Sequence, residues 1–298
     1  MKIWFNGKFI DSKKAVVPIL THSLHYGSGV FEGIRFYKTE NNSAIFRLDE
    51  HLKRLFYSRS ILSMKVSYSQ KEIKKEIIAL IKLNKLDEGY IRPIAWYGNK
   101  MGLYPGKADV NVALAVWPWE SYLGDKPIKT IISKFIRLHP KSIVADAKIS
   151  GYYANSVLAS LEAKNKKVNE AIFLDYKGNV AEGPGENIFL VKDKKVYTPK
   201  RGSILPGITR DSVMTLLKDL KIPIKEKKIS VQELKSSDEL FFTGTAVEIC
   251  PIAKVDNTFI NKGEIGPITK TVKDFYGRVV RGLEKKYFHW LNFINKTR

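Results

Sequence analysis

Residues 181–191 have the sequence AEGPGENIFLV, a tight turn followed by an apolar strand. The glycines that flank Pro184 allow a sharp turn and let the backbone approach a ligand closely. The run 188–191 is short and rich in β-branched and aromatic residues, which predicts a buried strand. Glu182 therefore lies where a turn meets a strand, either as a ligand-binding carboxylate or as an exposed turn residue.

A second informative stretch lies upstream, where residues 144–158 have the sequence VADAKISGYYANSVL. Lys148 is set there among small and apolar neighbours, whereas other lysines fall in polar runs such as 164–167. An ammonium among apolar groups loses hydration, which favours the free amine that acts as a nucleophile or base. Lysine does this most often as a Schiff base with a carbonyl compound. The alternative is a lysine that snorkels its charge to the surface.

Two further segments place glycine and hydroxyl groups at the ends of predicted elements. Residues 205–211, LPGITRD, run from a Pro-Gly turn into a helix, and residues 242–248, FTGTAVE, follow a strand. Exposed backbone N–H groups and the positive end of a helix dipole favour phosphate at such places. Arg54, on an amphipathic helix, is a candidate bidentate phosphate partner. The alternatives are ordinary helix caps and a surface arginine.

The composition is that of a cytoplasmic globular protein. The chain has 298 residues, which favours two domains, and 44% of them are hydrophobic. Its start, MKIWFNGKFI, has a hairpin pattern rather than a signal peptide, and no apolar run approaches the ~20 residues that span a membrane. The single cysteine, Cys250, excludes an intramolecular disulfide and fits a reducing compartment.

The formal charge of +21 makes nucleic-acid binding one interpretation. The 51 lysines and arginines are spread over the predicted helices and turns, and no helix-turn-helix, zinc-ligand or RNA-binding pattern accompanies them. We therefore favour a lysine-biased surface that attracts small anionic molecules, with no nucleic-acid partner and no metal site. A basic nucleic-acid-binding protein stays the alternative from another functional class.

The pattern of apolar residues predicts two domains that mix helix and strand. Asp49 is a predicted helix cap, and residues 69–72, SQKE, form a capping box that begins a second helix. We predict a small N-terminal domain over 1–120, an interdomain linker over 121–130 and a large domain over 131–298. The linker is placed there because Pro, Gly and aromatic residues interrupt the pattern over 117–127. The predicted strands lie near 3–10, 29–38, 43–47, 90–97, 110–117, 128–137, 170–175, 186–191, 194–197, 222–228 and 238–243, and later helices near 152–166, 208–220 and 269–285.

Residues 26–33, YGSGVFEG, come close to the Gly-x-Gly-x-x-Gly dinucleotide pattern. The last glycine is wrongly spaced, no predicted strand precedes the segment, and no helix follows it, because residues 34–37 are predicted to be strand. We therefore reject a dinucleotide site here.

A Schiff-base lysine, a carboxylate suited to a ring nitrogen and several phosphate donors together describe one ligand, pyridoxal phosphate. Motifs along nearly the whole chain agree with this interpretation. The chain resembles a branched-chain amino acid aminotransferase of the fold-type IV pyridoxal-phosphate class. The segments that carry the resemblance are WFNG (4–7), HYG (25–27), VFEGIR (30–35), YIRP (90–93), EGPGEN (182–187), LPGITR (205–210), TGTA (243–246) and GPIT (266–269).

This resemblance implies a fold, an activity and an assembly. The fold would be α/β (α+β), with a smaller N-terminal α/β domain and a larger C-terminal domain that contains a pseudo-barrel. The activity would be transamination of L-leucine, L-isoleucine and L-valine with 2-oxoglutarate, in a ping-pong cycle through pyridoxamine phosphate, as in branched-chain amino acid biosynthesis. A homodimer would be the minimal unit of a cytoplasmic homo-oligomer.

The resemblance also implies a role for each matching residue. Lys148 would bond to the cofactor and move the proton between the substrate Cα and the cofactor C4′ carbon. Tyr153 would hydrogen-bond the phenolic oxygen of the cofactor, Glu182 would bind its ring nitrogen, and Leu205 would pack on the ring. The phosphate ligands would be Arg54, the backbone N–H groups of Ile208 and Thr209, and Thr245.

The substrate contacts are implied in the same way. Gly33 would leave room for a branched side chain, and the amides of Thr245–Ala246, helped by Tyr90, would bind the α-carboxylate. Arg92 would bind the side-chain carboxylate of glutamate, with Tyr26 reaching in from a neighbouring subunit. The pocket walls would be Phe31, Tyr90, Trp119 and Tyr122.

Two positions depart from the family pattern. Tyr152 stands where many relatives carry a small polar residue, and Pro184 stands where alanine is frequent. Neither change removes a chemical role, but Tyr152 bears on substrate range. The rivals within the fold are a D-amino acid aminotransferase and an aminodeoxychorismate lyase, and the segments VFEGIR and YIRP favour the branched-chain L-type.

Overall fold

The structure is a computed structural model that describes residues 1–40, 42–119, 123–124 and 126–294. Its helices are α1 (His22–Tyr26), α2 (Leu48–Ile61), α3 (Gln70–Leu83), α4 (Tyr153–Asn165), α5 (Ile208–Asp219), α6 (Val231–Lys235) and α7 (Pro267–Val280). Its strands are β1 (Lys2–Phe5), β2 (Lys8–Asp11), β3 (Gly29–Phe31), β4 (Ile34–Lys38), β5 (Ser43–Phe46), β6 (Gly89–Tyr97), β7 (Val110–Trp117), β8 (Ile128–Ile132), β9 (Glu170–Ile172), β10 (Asn187–Lys192), β11 (Lys195–Pro199), β12 (Ile224–Lys227), β13 (Glu239–Gly244), β14 (Glu248–Val255), β15 (Thr258–Phe259) and β16 (Leu291–Ile294).

The chain divides into two compact units. They consist of Met1–Glu120, Ala147–Tyr152 and Val279–Arg298, and of Ser121–Asp146 and Tyr153–Arg278, respectively. Two segments from far along the chain join the first unit because Ile149 bridges to Val30 and β16 pairs with β5. The sequence carries no local sign of either pairing, and the predicted domain boundaries at 120 and 130 stay a prediction.

The first unit is built on an eight-stranded sheet within the described residues. Its order is β16-β5-β4-β6-β7-β1-β2, with β3 paired to β6. β1 and β2 form the predicted hairpin, in which Asn6 and Gly7 both take a positive φ that these residue types accept readily. Alternate residues of β7 are buried in a core that also takes in apolar side chains of α2 and α3. The period-two pattern of β7 therefore reflects one covered face.

The two long helices of this unit begin in different ways. α3 has the predicted capping box, with the Ser69 hydroxyl accepting the N–H of Glu72 and the Glu72 carboxylate accepting the N–H of Ser69. The N-cap of α2 is Arg47, with a φ of 50°, so the prediction of Asp49 as the cap is wrong. Asp49 lies in the first turn instead, where a carboxylate is favourable next to the positive end of the helix dipole.

The second unit is also built on an eight-stranded sheet, in the order β12-β11-β10-β13-β14-β8-β9, with β15 paired to β14. The apolar run quoted first is β10, which pairs with β11 on one side and β13 on the other. Five of its six residues are buried, which explains why it is apolar without alternation. Register pairs Asn187 with Thr243, so the turn before β10 lies beside the end of β13.

Several elements are absent from the sequence prediction: α1, α6, β14, β15 and β16. β14 is the longest of them, and its sequence does not look like a central strand because Pro251 stands in its middle. The predicted strand over 128–137 is shorter in the structure, where β8 ends at Ile132. In the part of the chain that the structure describes, no helix is both long and apolar enough to cross a membrane.

Candidate functional site

Lys148 is fixed within the first unit by backbone hydrogen bonds. Its carbonyl oxygen accepts the N–H of Phe31 at 3.2 Å, and its own N–H donates to Ser58 Oγ on α2 at 2.9 Å. Three residues later, the N–H of Gly151 donates to the carbonyl of Gly27 at 2.9 Å. A Cβ on Gly27 would collide with the backbone of Gly151, so this close approach requires glycine. The main chain around Lys148 is therefore held on both sides.

The side chain of Lys148 is half-buried, and its Nζ lies 5.0 Å from the centre of the Phe31 ring. Its chain neighbours Ala147 and Ile149 are buried. The structure thus brings the predicted catalytic lysine against a predicted pocket wall in an apolar setting. Tyr152, the unusual residue of this segment, packs partly buried against the core of the same unit.

Arg92 lies in an aromatic group formed by Phe31, Tyr90 and Trp117. The guanidinium carbon is 4.8, 5.5 and 6.0 Å from the centres of these three rings. Its Nε is buried and has no hydrogen-bond partner among the residues that the structure describes. The N–H groups of a guanidinium lie in its plane. Contact with aromatic ring faces therefore leaves their edge able to bind a carboxylate. The arrangement is chemically that of an anion receptor with apolar walls.

Tyr90 packs on Trp117 and on Trp119, with ring centres 5.2 and 4.6 Å apart. A Cβ on Gly33 would collide with the Tyr90 hydroxyl, so the glycine makes room for this tyrosine. That Gly33 also makes room for a substrate stays a prediction. Tyr122, the remaining predicted wall residue, lies outside the described residues.

Arg54, the predicted phosphate ligand on α2, is paired with Glu32. Arg54 Nε donates to Glu32 Oε1 at 2.6 Å, and Nη2 donates to Oε2 at 2.9 Å. Glu32 is fully buried, and its Oε2 also accepts a hydrogen bond from His51 Nδ1 at 2.8 Å. Sequence analysis gave neither Glu32 nor His51 a role, although Glu32 lies inside the quoted VFEGIR segment.

The charges of this group are set by burial and by the arginine. Burial raises the pKa of Glu32, but the charge and hydrogen bonds of Arg54, together with His51, outweigh burial and hold that pKa well below its usual range. Burial lowers the pKa of His51 below its ordinary value of 6.5, against the hydrogen bond to Glu32. At neutral pH the carboxylate is therefore ionised and the imidazole is neutral, with its proton on Nδ1 because a carboxylate only accepts.

Glu182 lies in the second unit and is only 3% exposed, which excludes the alternative of an exposed turn carboxylate. Oε1 accepts a hydrogen bond from Arg137 Nε at 2.7 Å. Oε2 accepts hydrogen bonds from Asn187 Nδ2 at 3.0 Å and from the N–H of Leu205 at 3.1 Å. The structure thus brings together Glu182 and Leu205, two predicted cofactor contacts.

The predicted phosphate segment begins α5 beside this network. Gly207 is the N-cap of α5 and supplies no side-chain cap, and Ile208 and Thr209 form the first turn. A Cβ on Gly207 would collide with the amide oxygen of Asn187, whose nitrogen also donates to the carbonyl of Leu205 at 2.9 Å. Glycine at this position therefore lets α5 begin next to Asn187, the residue that donates to Glu182.

Four other predicted residues lie at or next to the ends of elements. Thr245–Ala246 follow β13 at the end where Asn187 begins β10. Tyr153 begins α4, and Asn155, two residues on, accepts a hydrogen bond from Arg137 Nη1 at 3.3 Å. Tyr26 ends α1 in the first unit and is 39% exposed.

Sequence reasoning missed Arg137 and Asn187 as parts of the site. Asn187 was detectable, because it closes the quoted EGPGEN segment and an asparagine at the first position of a buried strand needs partners for its amide. Nothing in the sequence around Arg137 indicates a role in the site. It is one arginine among many, and only the folded chain places it beside Glu182.

Known proteins share this arrangement of sequence and fold. The chain matches the family model described as Amino-transferase class IV over residues 29–255. It is 41% identical over 297 residues to a branched-chain-amino-acid aminotransferase of Pseudomonas aeruginosa, which covers 98% of this chain and 97% of the relative.

Two solved structures extend the comparison to the fold. A branched-chain aminotransferase from Thermoproteus uzoniensis, crystallised with norvaline, matches with a TM-score of 0.95 and 38% identity over 99% of each chain. A branched-chain amino acid aminotransferase from Thermobaculum terrenum, in its PLP form, matches with a TM-score of 0.93 and 32% identity over 99% of this chain and 98% of the other. The family resemblance and the α/β fold class predicted from the sequence are confirmed. This chain belongs to the class IV aminotransferases.

Proposed function

We propose that this protein is a pyridoxal-phosphate enzyme that transfers the amino group of branched-chain L-amino acids to 2-oxoglutarate, giving branched-chain 2-oxo acids and L-glutamate. One observation carries the proposal. The Phe31 ring is shared by the Lys148 amine, 5.0 Å from its centre, and by the Arg92 guanidinium, 4.8 Å from its centre. An amine and an anion receptor on one apolar wall suit an enzyme that takes both hydrophobic and acidic amino acids.

The residues fit pyridoxal phosphate by their chemistry. When bound, this cofactor bonds to an amino group and, with its ring nitrogen protonated, withdraws electrons from the substrate Cα. A protonated ring nitrogen needs an anionic acceptor, and the buried, anchored carboxylate of Glu182 is one. A phosphate needs cations and N–H groups, for which Arg54 and the first turn of α5 are suited.

Lys148 acts as the base and acid of the reaction in this proposal. Its Nζ takes the proton from the substrate Cα and delivers a proton to C4′ of the cofactor. The backbone bonds of Lys148 to Phe31 and Ser58 fix its Cα, so only side-chain rotation moves the amine. The Phe31 ring excludes water from one side of that path.

The remaining cofactor contacts follow the family pattern. Tyr153 hydrogen-bonds the phenolic oxygen and Leu205 packs on the ring. The phosphate contacts are Arg54, the N–H groups of Ile208 and Thr209, and Thr245. Support for this assignment is that Leu205, Gly207 and Glu182 are joined through Asn187 within the second unit.

Two kinds of substrate side chain are accommodated by one aromatic wall with one cation. Phe31, Tyr90 and Trp119 provide apolar contact for leucine-like side chains. Arg92 pairs with the side-chain carboxylate of glutamate, which would be costly to bury unpaired. The amides of Thr245–Ala246, with Tyr90, bind the α-carboxylate that all these substrates share.

A homodimer is the proposed minimal unit, with Tyr26 reaching into the neighbouring subunit's site. Support comes from large apolar side chains exposed near Tyr26: Leu24 is 59% exposed, and Leu103 and Tyr104 are 84% and 83% exposed. The Tyr26 hydroxyl accepts the N–H of Gly102, which ties this loop to α1. Exposed apolar groups of this size mark interaction surfaces. We further propose a cytoplasmic location and no nucleic-acid partner.

A panel of L- and D-amino acids tests the proposed function. Each is mixed with the cofactor-loaded protein, and conversion of the cofactor is followed by loss of its yellow colour. We expect rapid conversion with L-leucine, L-isoleucine, L-valine and L-glutamate and none with the D-forms. Conversion confined to D-amino acids, or release of pyruvate from aminodeoxychorismate, would replace the proposal with one of its rivals. Salt-sensitive retention on DNA by a colourless protein would instead support the nucleic-acid alternative.

A further inference from the structure

Glu32 is a fully buried carboxylate to which the proposed function gives no role. It bonds to Arg54 through Nε and Nη2, the side edge of the guanidinium. A guanidinium is planar, so its end edge, formed by Nη1 and the second hydrogen of Nη2, points away from Glu32. That end edge has the spacing for a bidentate contact with two oxygens of a phosphate. The two bonds to Glu32 therefore fix the direction in which the end edge of the Arg54 guanidinium points.

Glu32 is itself held at its carboxylate and at its backbone. His51 Nδ1 donates to Oε2 at 2.8 Å, and the N–H of Glu32 donates to the carbonyl of Pro93 on β6 at 3.0 Å. Because Arg54 and His51 together outweigh burial in setting the pKa of Glu32, the carboxylate stays ionised throughout the neutral range. The ion pair is thus permanent under working conditions, and its geometry is set by the sheet through Pro93.

Helix α2 carries the partners of this group on one face. His51, Arg54 and Ser58 are spaced i, i+3 and i+7, which places them in a row along the helix. Ser58 is the residue whose hydroxyl accepts the N–H of Lys148. Glu32 therefore contacts this face of the helix at His51 and Arg54, about one turn before the serine that anchors the Lys148 backbone.

We propose that Glu32 is a positioning residue that aims the Arg54 guanidinium at the cofactor phosphate, with His51 holding Glu32 in place. The inference rests on the proposed function, in which Arg54 is a phosphate ligand. It makes a specific claim about ligands: Glu32 matters for the phosphate group and not for the rest of the cofactor.

The test compares the affinities of the protein for pyridoxal phosphate and for pyridoxal, which lacks the phosphate. The variants are Glu32→Gln, which removes the charge, and Glu32→Asp, which keeps the charge but withdraws the carboxylate by one methylene. Glu88→Gln is the matched control, since it breaks two other ion pairs of the same unit, those of Glu88 with Arg35 at 3.3 Å and with Arg281 at 3.0 Å. Thermal unfolding without cofactor reports on the fold of every variant.

We expect Glu32→Gln and Glu32→Asp to bind pyridoxal phosphate ~10-fold or more weakly, because a displaced guanidinium loses a bidentate phosphate contact. Pyridoxal affinity should change less than ~3-fold, and Glu88→Gln should change neither, because no phosphate contact is altered. If Glu32→Gln does not fold, Glu32→Asp decides, since its ion pair is retained.

Equal losses for pyridoxal phosphate and pyridoxal would overturn the proposal and make Glu32 a purely structural residue. Unchanged affinity for both would overturn it as well. If the unmodified protein binds neither compound, the proposed function fails first, which is a different and recognisable result.

Discussion

Replacing Glu182 by glutamine removes a carboxylate that the structure uses on both oxygens. Oε1 faces Arg137, and Oε2 faces the donors of Asn187 and Leu205. A glutamine amide has only one oxygen, so in either orientation its NH₂ group faces an N–H donor. The variant therefore loses a charged hydrogen bond worth ~1.5–3 kcal/mol or leaves Arg137 unpaired, which costs ~3–5 kcal/mol when a buried pair is broken. We expect the free energy of unfolding to fall by ~3 kcal/mol.

The same substitution should slow the reaction for a separate reason. A neutral amide no longer stabilises a protonated ring nitrogen in the transition state, an electrostatic contribution of ~2–4 kcal/mol, or about 30- to 1000-fold in rate. Single-turnover conversion of leucine at saturating cofactor measures the rate, and urea unfolding without cofactor measures stability. Glu186→Gln is the control, because Glu186 is a buried carboxylate of the same turn with no proposed cofactor contact.

The two measurements refute different parts of the reasoning. A large loss of stability with an unchanged rate would show that Glu182 serves the turn and not the cofactor. An unchanged stability would show that the three hydrogen bonds do not hold the turn. Equal rate losses in Glu182→Gln and Glu186→Gln would trace the slower reaction to a disturbed turn.

Three further predictions concern the substrate wall and Glu170, a buried carboxylate on β9 of the second unit. Arg92→Leu should lower the reaction with glutamate or 2-oxoglutarate by ~10²-fold and that with leucine only several-fold, because it removes a charged partner and keeps an apolar wall; equal losses in steady-state assays would contradict this. Gly33→Ala should displace Tyr90, whose hydroxyl occupies the space of the new methyl, and so lower kcat/KM for all substrates with little change in cofactor affinity; unchanged kcat/KM would show that Tyr90 adapts. Burial raises the pKa of Glu170 above 4.5, so the folded state keeps a proton that the unfolded state releases, and stability falls as pH rises above 4.5. Glu170→Gln should therefore raise the free energy of unfolding at pH 7, and by less at pH 4, in thermal unfolding. A lower stability of the variant at pH 7 would contradict this.

Local signals in the sequence were enough where a short segment determines its own structure. The Asn6-Gly7 turn and the Ser69–Glu72 capping box form as predicted, because each depends on residues at most three apart. The site motif around Glu182 was recognisable for a related reason, since the glycines and the buried strand that position it adjoin it in sequence.

Long-range pairing explains what the sequence did not reveal. Arg137 reaches Glu182 across 45 positions, and Glu32 reaches Arg54 across 22. The Lys148 segment belongs to the first unit because of hydrogen bonds to residues that precede it by 90 positions or more. No local pattern encodes such partners. β14 escaped prediction because it contains Pro251, and proline is disfavoured in a strand that is paired on both sides.

Peptide mapping after borohydride reduction tests the central claim most directly. The protein is loaded with pyridoxal phosphate, reduced so that the cofactor becomes permanently attached to its lysine, digested and mapped by mass. We predict one modified peptide, which carries the cofactor on Lys148, and no modified peptide from Lys148→Ala, which should still hold the cofactor without a covalent bond through its phosphate contacts. A cofactor attached to any other lysine of the loaded protein would contradict the assignment of Lys148 and, with it, the mechanism proposed for this chain.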